Sequence, residues 1–242
     1  MANDVATDGP LLAIETSTPV TRVVLVDART GARLGGAEAA AERHSANLLR
    51  LCVQVLEGAG VTVPGLAAIA CGAGPGSFTG LRVGLAVAKG FAIPTGVPLV
   101  LVSSLEALAL DMLLGPATAD LLLPCLDAGK GQIFVQAFRR LGDRDVAPAT
   151  EAWVVLPGTL AARLPREASV AWAGTGAVRY AETIAAGFGD RGRPLEVAGP
   201  TAESVARRAL ERLARGDTDD LASAVPAYGR DPDITRPKRP GR

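Results

Sequence analysis

Residues 72–84 read GAGPGSFTGLRVG, a glycine-rich loop between two apolar stretches. The stretch before it, LAAIACG at 66–72, is typical of a buried strand, and the stretch at 78–92 has the spacing of a helix. Backbone N–H groups at the start of a helix can hold an anion. The loop therefore predicts either an anion cradle or a close turn, and we favour the turn because glycine loops between strands and helices are common.

Three catalytic glycine motifs do not fit this loop. A Walker A loop ends in Gly-Lys-Ser or Gly-Lys-Thr, whereas Gly80 is followed by Leu-Arg. The dinucleotide-binding fingerprint needs a third glycine at the position of Ser77. A nucleophile elbow needs glycines on both sides of its serine, but Pro75 and Thr79 stand there. The loop therefore matches none of these catalytic motifs.

Outward from the loop, one order of elements occurs twice along the chain. Near residue 11, three strand-like runs joined by tight turns precede a helix, a strand, a helix and a strand. A looser version begins near residue 121 and includes a predicted strand at 132–138 and a predicted helix at 156–164. Strands joined by tight turns pair antiparallel. We therefore predict an α/β protein of two similar lobes, each starting with antiparallel strands, rather than one doubly wound parallel sheet.

The repeated order also predicts the domain organisation. We place an N-terminal lobe at 1–104 and a C-terminal lobe at 105–227, and the last helix, 201–214, could pack back on the first lobe. A proline-rich tail, 228–242, holds five basic residues against two acidic ones. Such tails can contact nucleic-acid phosphates, although disorder is the commoner outcome.

Composition and charge exclude some classes of protein. The chain has 242 residues, of which 48% are hydrophobic, enough for a sizeable core. Its 25 basic and 25 acidic residues balance, so overall charge gives no argument for nucleic-acid or membrane binding. The three cysteines lie far apart, and the first ten residues are polar and acidic, unlike a signal peptide. We therefore expect a cytoplasmic protein without a membrane segment.

A metal site or a catalytic histidine finds little support in the sequence. His44 is the only histidine, and Leu48 stands four residues later, where a second helical ligand would be needed. Serine or cysteine catalysis would also depend on His44, and no serine or cysteine lies in an activating context. We therefore predict no catalytic residue and no metal ligand.

Two acidic residues stand at equivalent places in the two predicted lobes. Glu15 ends the first strand of the first lobe, and Asp127 ends the first strand of the second. Facing a cleft between the lobes, the pair could organise magnesium and phosphate or act as general acid and base. Alternatively, each side chain caps a turn, which is the interpretation that we favour slightly.

The helix predicted at 45–58 is more apolar than a surface helix needs to be. Its large apolar residues cover more than one stripe: Leu48, Leu49, Leu51, Cys52, Val53, Val55 and Leu56. The next helix carries Gly80 and Gly84 at the GxxxG spacing that lets another helix approach closely. These two helices either lie within the core of their own lobe or form a subunit interface.

Seven segments, taken in order, carry a family resemblance that spans nearly the whole chain. They are AIETST at 13–18, ERHSANLL at 42–49, GPGSFTGLRVG at 74–84, VSSLEALA at 102–109, LDAGKGQIFVQAF at 126–138, AWAGTGA at 171–177 and AVPAYGR at 224–230. Together they resemble the tRNA threonylcarbamoyladenosine biosynthesis protein TsaB family, also called YeaZ. The segment GPGSFTGLRVG followed by VSSLEALA is the most specific part of this resemblance.

The resemblance implies an actin/Hsp70/sugar-kinase (ASKHA) fold with two ribonuclease-H-like lobes. It implies a required, non-catalytic subunit of the complex that transfers threonylcarbamoyl to the adenosine next to the tRNA anticodon. In that family the transfer is done by a paralogue, TsaD, whose metal is held by a histidine pair, and the ATPase TsaE joins the complex. A homodimer in isolation, tRNA contact through the complex and no membrane partner are also implied. The family's older label, an M22-type glycoprotease, finds no support in the residues.

The resemblance also assigns residues. It implies pairing, with TsaD or a second copy, through the first two helices of the first lobe, at His44, Leu48, Leu51, Cys52, Val55, Phe78, Leu81, Arg82 and Leu85. It implies a vestigial nucleotide cleft at Glu15, Asp127, Lys130, Gly174 and Gly176. No cofactor is expected beyond weak ATP or ADP binding at this cleft or at the complex interface. The alternatives are a free-standing nucleotide-binding or nucleotide-hydrolysing protein of the same fold, and an M22-type peptidase.

Overall fold

The computed structural model of the protein describes residues 9–40, 44–115 and 119–229. The strands of its first sheet are β1 (Pro10–Glu15), β2 (Val20–Asp27), β3 (Arg33–Ala40), β4 (Ala68–Gly74) and β5 (Leu99–Ser103). They lie in the order β3-β2-β1-β4-β5. The pairs β1–β2 and β2–β3 are antiparallel, whereas β4 runs parallel to both β1 and β5.

The second sheet begins in the same way. Its strands are β6 (Leu121–Gly129), β7 (Gln132–Val135), β8 (Phe138–Leu141), β9 (Asp145–Pro148), β10 (Trp153–Val155), β11 (Val170–Ala173) and β12 (Gly192–Pro194). β6 and β7 form an antiparallel hairpin, β11 lies parallel to β6, and β12 lies parallel to β11. β10 pairs with β7, and the β8–β9 hairpin joins beside β6. The prediction of two α/β lobes, each starting with antiparallel strands, is confirmed.

The helices that cover these sheets are α1 (His44–Gly58), α2 (Phe78–Thr95), α3 (Ser104–Met112), α4 (Thr175–Arg179), α5 (Ala181–Phe188) and α6 (Ala202–Leu213). Ser77, Ser103 and Thr201 begin three of them, because each side-chain oxygen accepts a hydrogen bond from the N–H three residues later. Within the described ranges, no helix combines the length and the apolar character needed to span a bilayer.

The first sheet is covered on both faces because its strands alternate. Leu12 and Ile14 of β1 belong to the apolar cluster of α1 and α2, whereas Leu11 and Ala13 belong to that of α6. All four side chains are fully buried. Burial stabilises the fold by about 2 kcal/mol for each large aliphatic side chain. The last helix therefore packs on the first sheet, although it follows the second sheet in the chain.

Asp111 of α3 fixes the start of α6. Its carboxylate accepts hydrogen bonds from the Thr201 N–H at 2.8 Å, the Thr201 hydroxyl at 2.7 Å and the Ser204 hydroxyl at 2.6 Å. Burial raises the pKa of Asp111, and these hydrogen bonds oppose the shift. The boundary placed at residue 104 falls where β5 ends and α3 begins, and it stays a prediction.

The helix predicted at 156–164 is wrong. The chain instead forms two short 3-10 turns, Pro157–Thr159 and Ala161–Arg163. Pro165 disfavours the helical conformation of the residue before it, and Leu164 is accordingly extended, with φ −116° and ψ 154°. Arg191 donates to the carbonyl oxygen of Ala161 at 3.3 Å.

The strand predicted at 132–138 is interrupted between β7 and β8. Thr150 takes over the polar groups at the interruption. Its hydroxyl accepts a hydrogen bond from the Ala137 N–H at 3.1 Å, and its carbonyl oxygen accepts one from the Gln136 side chain at 2.8 Å. The chain therefore leaves β7 after Val135 and pairs again with β6, as β8, at Leu122, nearer the start of that strand.

The three cysteines, Cys52, Cys71 and Cys125, are free and buried. Burial raises the pKa of Cys52 to about 12 and also raises the pKa values of the other two thiols. All three thiols are therefore held in their neutral form, as small apolar side chains within the two cores.

Candidate functional site

The glycine loop is locked to the turn that follows β1. The Ser77 N–H donates to the carbonyl oxygen of Ser17 at 2.8 Å, while the Ser77 hydroxyl accepts from the Gly80 N–H at 3.2 Å. A Cβ at Gly76 would overlap the backbone of Ser17, and one at Gly80 would overlap the carbonyl oxygen of Thr16. The space beside the start of α2 is therefore filled by the chain's own backbone, which fits the predicted close turn.

The GxxxG pair of α2 serves this same internal contact. A Cβ at Gly84 would overlap the hydroxyl oxygen of Thr16, just as one at Gly80 would overlap its carbonyl oxygen. Both glycines are buried. The interpretation that they let a helix of another subunit approach is wrong, because the turn after β1 already occupies that side of α2.

Glu15 lies at the centre of this locked region and is fully buried. Its carboxylate accepts hydrogen bonds from the Ser17 N–H at 2.5 Å and from the Ser104 hydroxyl at 2.9 Å. The Ser104 oxygen in turn accepts from the Gly74 N–H at 3.2 Å. Desolvation raises the pKa of Glu15, and its hydrogen bonds to Ser17 and Ser104 act in the opposite direction. The carboxylate thus caps the turn that follows β1, as in the interpretation slightly favoured from the sequence, and ties β1, the glycine loop and α3 together.

Asp127 occupies the equivalent place in the second lobe and has a different environment. One of its carboxylate oxygens bonds the Arg179 guanidinium at 2.7 Å, and the other accepts from the Gly129 N–H at 3.1 Å. The Asp127 N–H donates to the Thr175 hydroxyl at 3.1 Å. This carboxylate is partly exposed, but the chain's own arginine neutralises it.

The other predicted cleft residues lie at a hairpin tip and where α4 packs on the sheet. Lys130 lies at the tip of the β6–β7 hairpin with φ 52°. A Cβ at Gly174 would overlap the carbonyl oxygen of Cys125, and one at Gly176 would lie 2.8 Å from the side chain of Ile133. These two glycines therefore let α4 pack closely on β6 and β7. The nucleotide cleft itself stays a prediction.

Most of the predicted interface residues are core residues. Six of them have no more than 7% of their surface exposed: Leu48, Leu51, Cys52, Val55, Leu81 and Leu85. All of them except Leu81 belong to the apolar cluster between α1, α2 and the first sheet, and the Leu81 side chain lies beside Gly74. Their assignment to a surface that meets another subunit is corrected accordingly. Phe78 and Arg82 do lie at the surface, and the His44 side chain is outside the described part of the chain.

A second apolar surface lies on the opposite side of α1 and α2. Leu49 and Val53 of α1 and Phe78 and Ile93 of α2 are all exposed, with values from 39% for Val53 to 65% for Ile93. We call these four residues and Ala86, which is also exposed, the outer face. Sequence reasoning counted the apolar residues of α1 as one set. The spacing of Leu49 and Val53, four apart and off the buried stripe, was the signal that separates them.

Comparisons with known proteins find relatives whose names refer to the threonylcarbamoyl modification of tRNA. The family model described as "TsaD: tRNA N6-adenosine threonylcarbamoyltransferase" matches residues 20–188. The tRNA threonylcarbamoyladenosine biosynthesis protein TsaB of Escherichia coli is 28% identical over 96% of this chain and 99% of its own length. A tRNA N6-adenosine threonylcarbamoyltransferase of Granulibacter bethesdensis is 37% identical over 44% of this chain and 33% of its own length.

The fold has a solved counterpart of the same extent. YeaZ from Pseudomonas aeruginosa superposes with a TM-score of 0.77 and 28% identity, covering 91% of this chain and 99% of its own. The full-length matches are to TsaB and YeaZ, whereas the match to the longer transferase covers only part of that protein. The chain therefore belongs to the TsaD-like family and, within it, to the TsaB/YeaZ group.

Proposed function

We propose that this protein is a required, non-catalytic subunit of the complex that places threonylcarbamoyl on tRNA, and that it acts by pairing with a TsaD. The observation that carries the proposal is the filled glycine loop. The chain's own turn at Thr16 and Ser17 occupies the start of α2, and the N–H groups of Ser77 and Gly80 are already bonded within the chain. A role through binding to another protein is therefore better supported than a role in chemistry.

The two candidate acids support the same proposal. Glu15 is buried with its oxygens occupied by Ser17 and Ser104, and Asp127 is paired with Arg179. Catalysis by either carboxylate would first require breaking these internal bonds and exposing the group to a substrate. Each acid instead performs a structural task that the folded chain already uses.

The outer face supports pairing as the mode of action. Leu49 and Val53 of α1 and Phe78 and Ile93 of α2 are exposed on two adjacent helices, and large exposed apolar side chains on neighbouring elements are typical of a protein-binding site. We propose that TsaD covers this face in the complex, and that a second copy of the chain covers it in isolation. Transfer RNA and the ATPase TsaE would then meet this subunit through the complex.

An omission assay tests the requirement for the chain. TsaD, TsaE, the enzyme that makes threonylcarbamoyl-adenylate and unmodified tRNA are combined with and without this protein, and the digested tRNA is analysed for the modified nucleoside. We expect product only when the chain is present, and none when TsaD is left out. Equal product in its absence would refute the required role, and product without TsaD would refute the non-catalytic one.

A pair of matched substitutions tests the outer face. Val53→Glu places a charge on the exposed side of α1, whereas Val178→Glu makes the same change at an exposed valine of the second lobe. We expect Val53→Glu to weaken binding to TsaD and self-association by tenfold or more, about 1.4 kcal/mol, and Val178→Glu to leave both unchanged. Titration calorimetry and analytical ultracentrifugation measure the two equilibria. Equal affinities for the two variants would locate the interface elsewhere.

A further inference from the structure

The last described residues form a strap, Asp219–Gly229, that joins the two lobes. The strap begins beside β5, where its first N–H donates to the carbonyl oxygen of Leu99 at 2.8 Å. Further on, the Ala227 N–H donates to the carbonyl oxygen of Ala73, in the glycine loop, at 2.8 Å. Its last residue lies against β7 of the second sheet, where an added Cβ would come within 3.0 Å of the Phe134 ring. The strap therefore crosses from the first lobe to the second at the start of α2.

Tyr228 of the strap meets two residues of α2. Its hydroxyl accepts a hydrogen bond from Nε of Arg82 at 2.9 Å, and its ring centre lies 5.1 Å from that of Phe78. The guanidinium carbon of Arg82 stands 3.7 Å from the centre of the Phe78 ring and 5.5 Å from that of Tyr228. Two aromatic rings and one hydrogen bond thus hold the arginine in a fixed position at the surface.

The chemistry of this cluster is that of a protein-binding site. Phe78 is 51% exposed and Arg82 is exposed, so the cluster extends the outer face to the strap. Arginine, tyrosine and phenylalanine are enriched in protein interfaces, and arginine and tyrosine dominate binding hot spots. The hydrogen bond to Tyr228 uses Nε, which is one of the three nitrogens of the guanidinium. A planar guanidinium offers such nitrogens to a carboxylate.

We propose that the strap completes the partner-binding surface and that Tyr228 is one of its binding residues. The partner surface that fits is a protein carboxylate, which Arg82 bonds, surrounded by apolar groups that cover the rings of Phe78 and Tyr228. This inference rests on the proposed function, because it adds a distant segment of the chain to the same interface. The C-terminal strap is then needed for pairing as well as for holding the lobes together.

The affinity of the chain for TsaD of the same organism tests this inference. Tyr228→Ala is compared with Tyr180→Ala, which removes a tyrosine that is also half-buried and also has an arginine guanidinium near its ring, at 5.6 Å, but lies in the second lobe. We expect Tyr228→Ala to weaken binding tenfold or more and Tyr180→Ala to leave it unchanged. Tyr228→Phe keeps the ring without the hydroxyl, so its loss should be smaller. Arg82→Glu should weaken binding at least as much as Tyr228→Ala, because it sets two carboxylates against each other.

The outcomes separate this inference from the proposed function. Normal binding by Tyr228→Ala, with Val53→Glu still defective, overturns the role of the strap and leaves the outer face standing. Normal binding by both overturns the proposed pairing itself. If Tyr228→Ala lowers the affinity of the chain for tRNA and leaves TsaD binding intact, the cluster binds nucleic acid and the inference is wrong. Circular dichroism checks folding; if Tyr228→Ala is unfolded, normal binding by Arg82→Glu overturns the inference instead.

Discussion

Glu15 is the last residue of β1 and Asp127 lies two residues before the end of β6, yet the two lobes use these acids differently. Glu15 is fully buried and accepts hydrogen bonds from Ser17 and Ser104, which hold the glycine loop against β1. Asp127 stays partly exposed and pairs with Arg179, whose side chain is 61% exposed. The same position in a repeated fold can thus be a core bond in one lobe and a surface ion pair in the other.

The difference shows which lobe tolerates change. In the first lobe, the carboxylate, the turn after β1 and the start of α2 are packed without spare room, so a change at one of them disturbs all three. In the second lobe, the pair between Asp127 and Arg179 lies at the rim, where water can replace either partner. We therefore expect the effects of substitution to fall steeply from the first site to the second.

The largest effect is expected from adding one methyl group in α2. Gly80→Ala would place a Cβ into the carbonyl oxygen of Thr16, so the turn or the helix must move, and we expect the free energy of unfolding to fall by about 3 kcal/mol. Urea unfolding followed by circular dichroism measures the change.

Gly90→Ala is the matched control, since it makes the same change ten residues further along α2. Nothing lies within 4 Å of a Cβ at Gly90, and alanine is the better helix former. We expect this variant to gain about 0.5 kcal/mol. Equal stability of the two variants would mean that the turn after β1 does not press against α2.

An intermediate effect, dependent on pH, is expected at Glu15. Desolvation raises its folded-state pKa above the ordinary 4.5, so the folded chain holds the proton more tightly than the unfolded chain. The stability that this group contributes is fully present below pH 4.5 and is lost as the pH rises through the folded-state pKa. Glu15→Gln removes this dependence, and the difference in unfolding free energy should therefore move in favour of glutamine as the pH rises. Urea titrations of both proteins from pH 4 to pH 8 measure it, and a constant difference would contradict a raised pKa.

The smallest effect on stability is expected for the ion pair of Asp127. Arg179→Ala removes the ion pair with Asp127 at the rim of the second lobe, and exposed pairs of this kind add little to stability. We expect the urea midpoint to stay within experimental scatter, at low salt and at high salt alike. If Arg179→Ala lowered the free energy of unfolding as much as Gly80→Ala, the second lobe would be as sensitive to substitution as the first.

The sequence was sufficient for the architecture because the signals that define it are local. Tight turns between the first strands and the glycine loop before α2 predicted two lobes with antiparallel starts, and both sheets have them. The helix predicted at 156–164 failed at its end because Pro165, beyond the predicted segment, disfavours the helical conformation of Leu164. Such an effect is visible only once the end of the helix is tested residue by residue.

The sequence predicted that α1 and α2 carry the candidate site, but it did not predict which side of each helix faces the sheet. The sequence indicated that α1 carries too many apolar residues for one stripe, but it could not say whether Leu48 or Leu49 faces the sheet. The structure buries Leu48 completely and leaves Leu49 48% exposed. Tyr228 lies in the segment AVPAYGR, but this segment did not predict its contacts with Phe78 and Arg82, since these depend on where the strap runs after α6.

The reactivity of the buried cysteines reports on which part of the protein unfolds. Alkylating reagents attack the thiolate, and burial holds Cys52, Cys71 and Cys125 as neutral thiols. Each thiol can therefore react only when the core around it opens. Cys52 and Cys71 lie in the core of the first lobe and Cys125 in that of the second. The order in which the three sites are alkylated thus records which half of the molecule comes apart first.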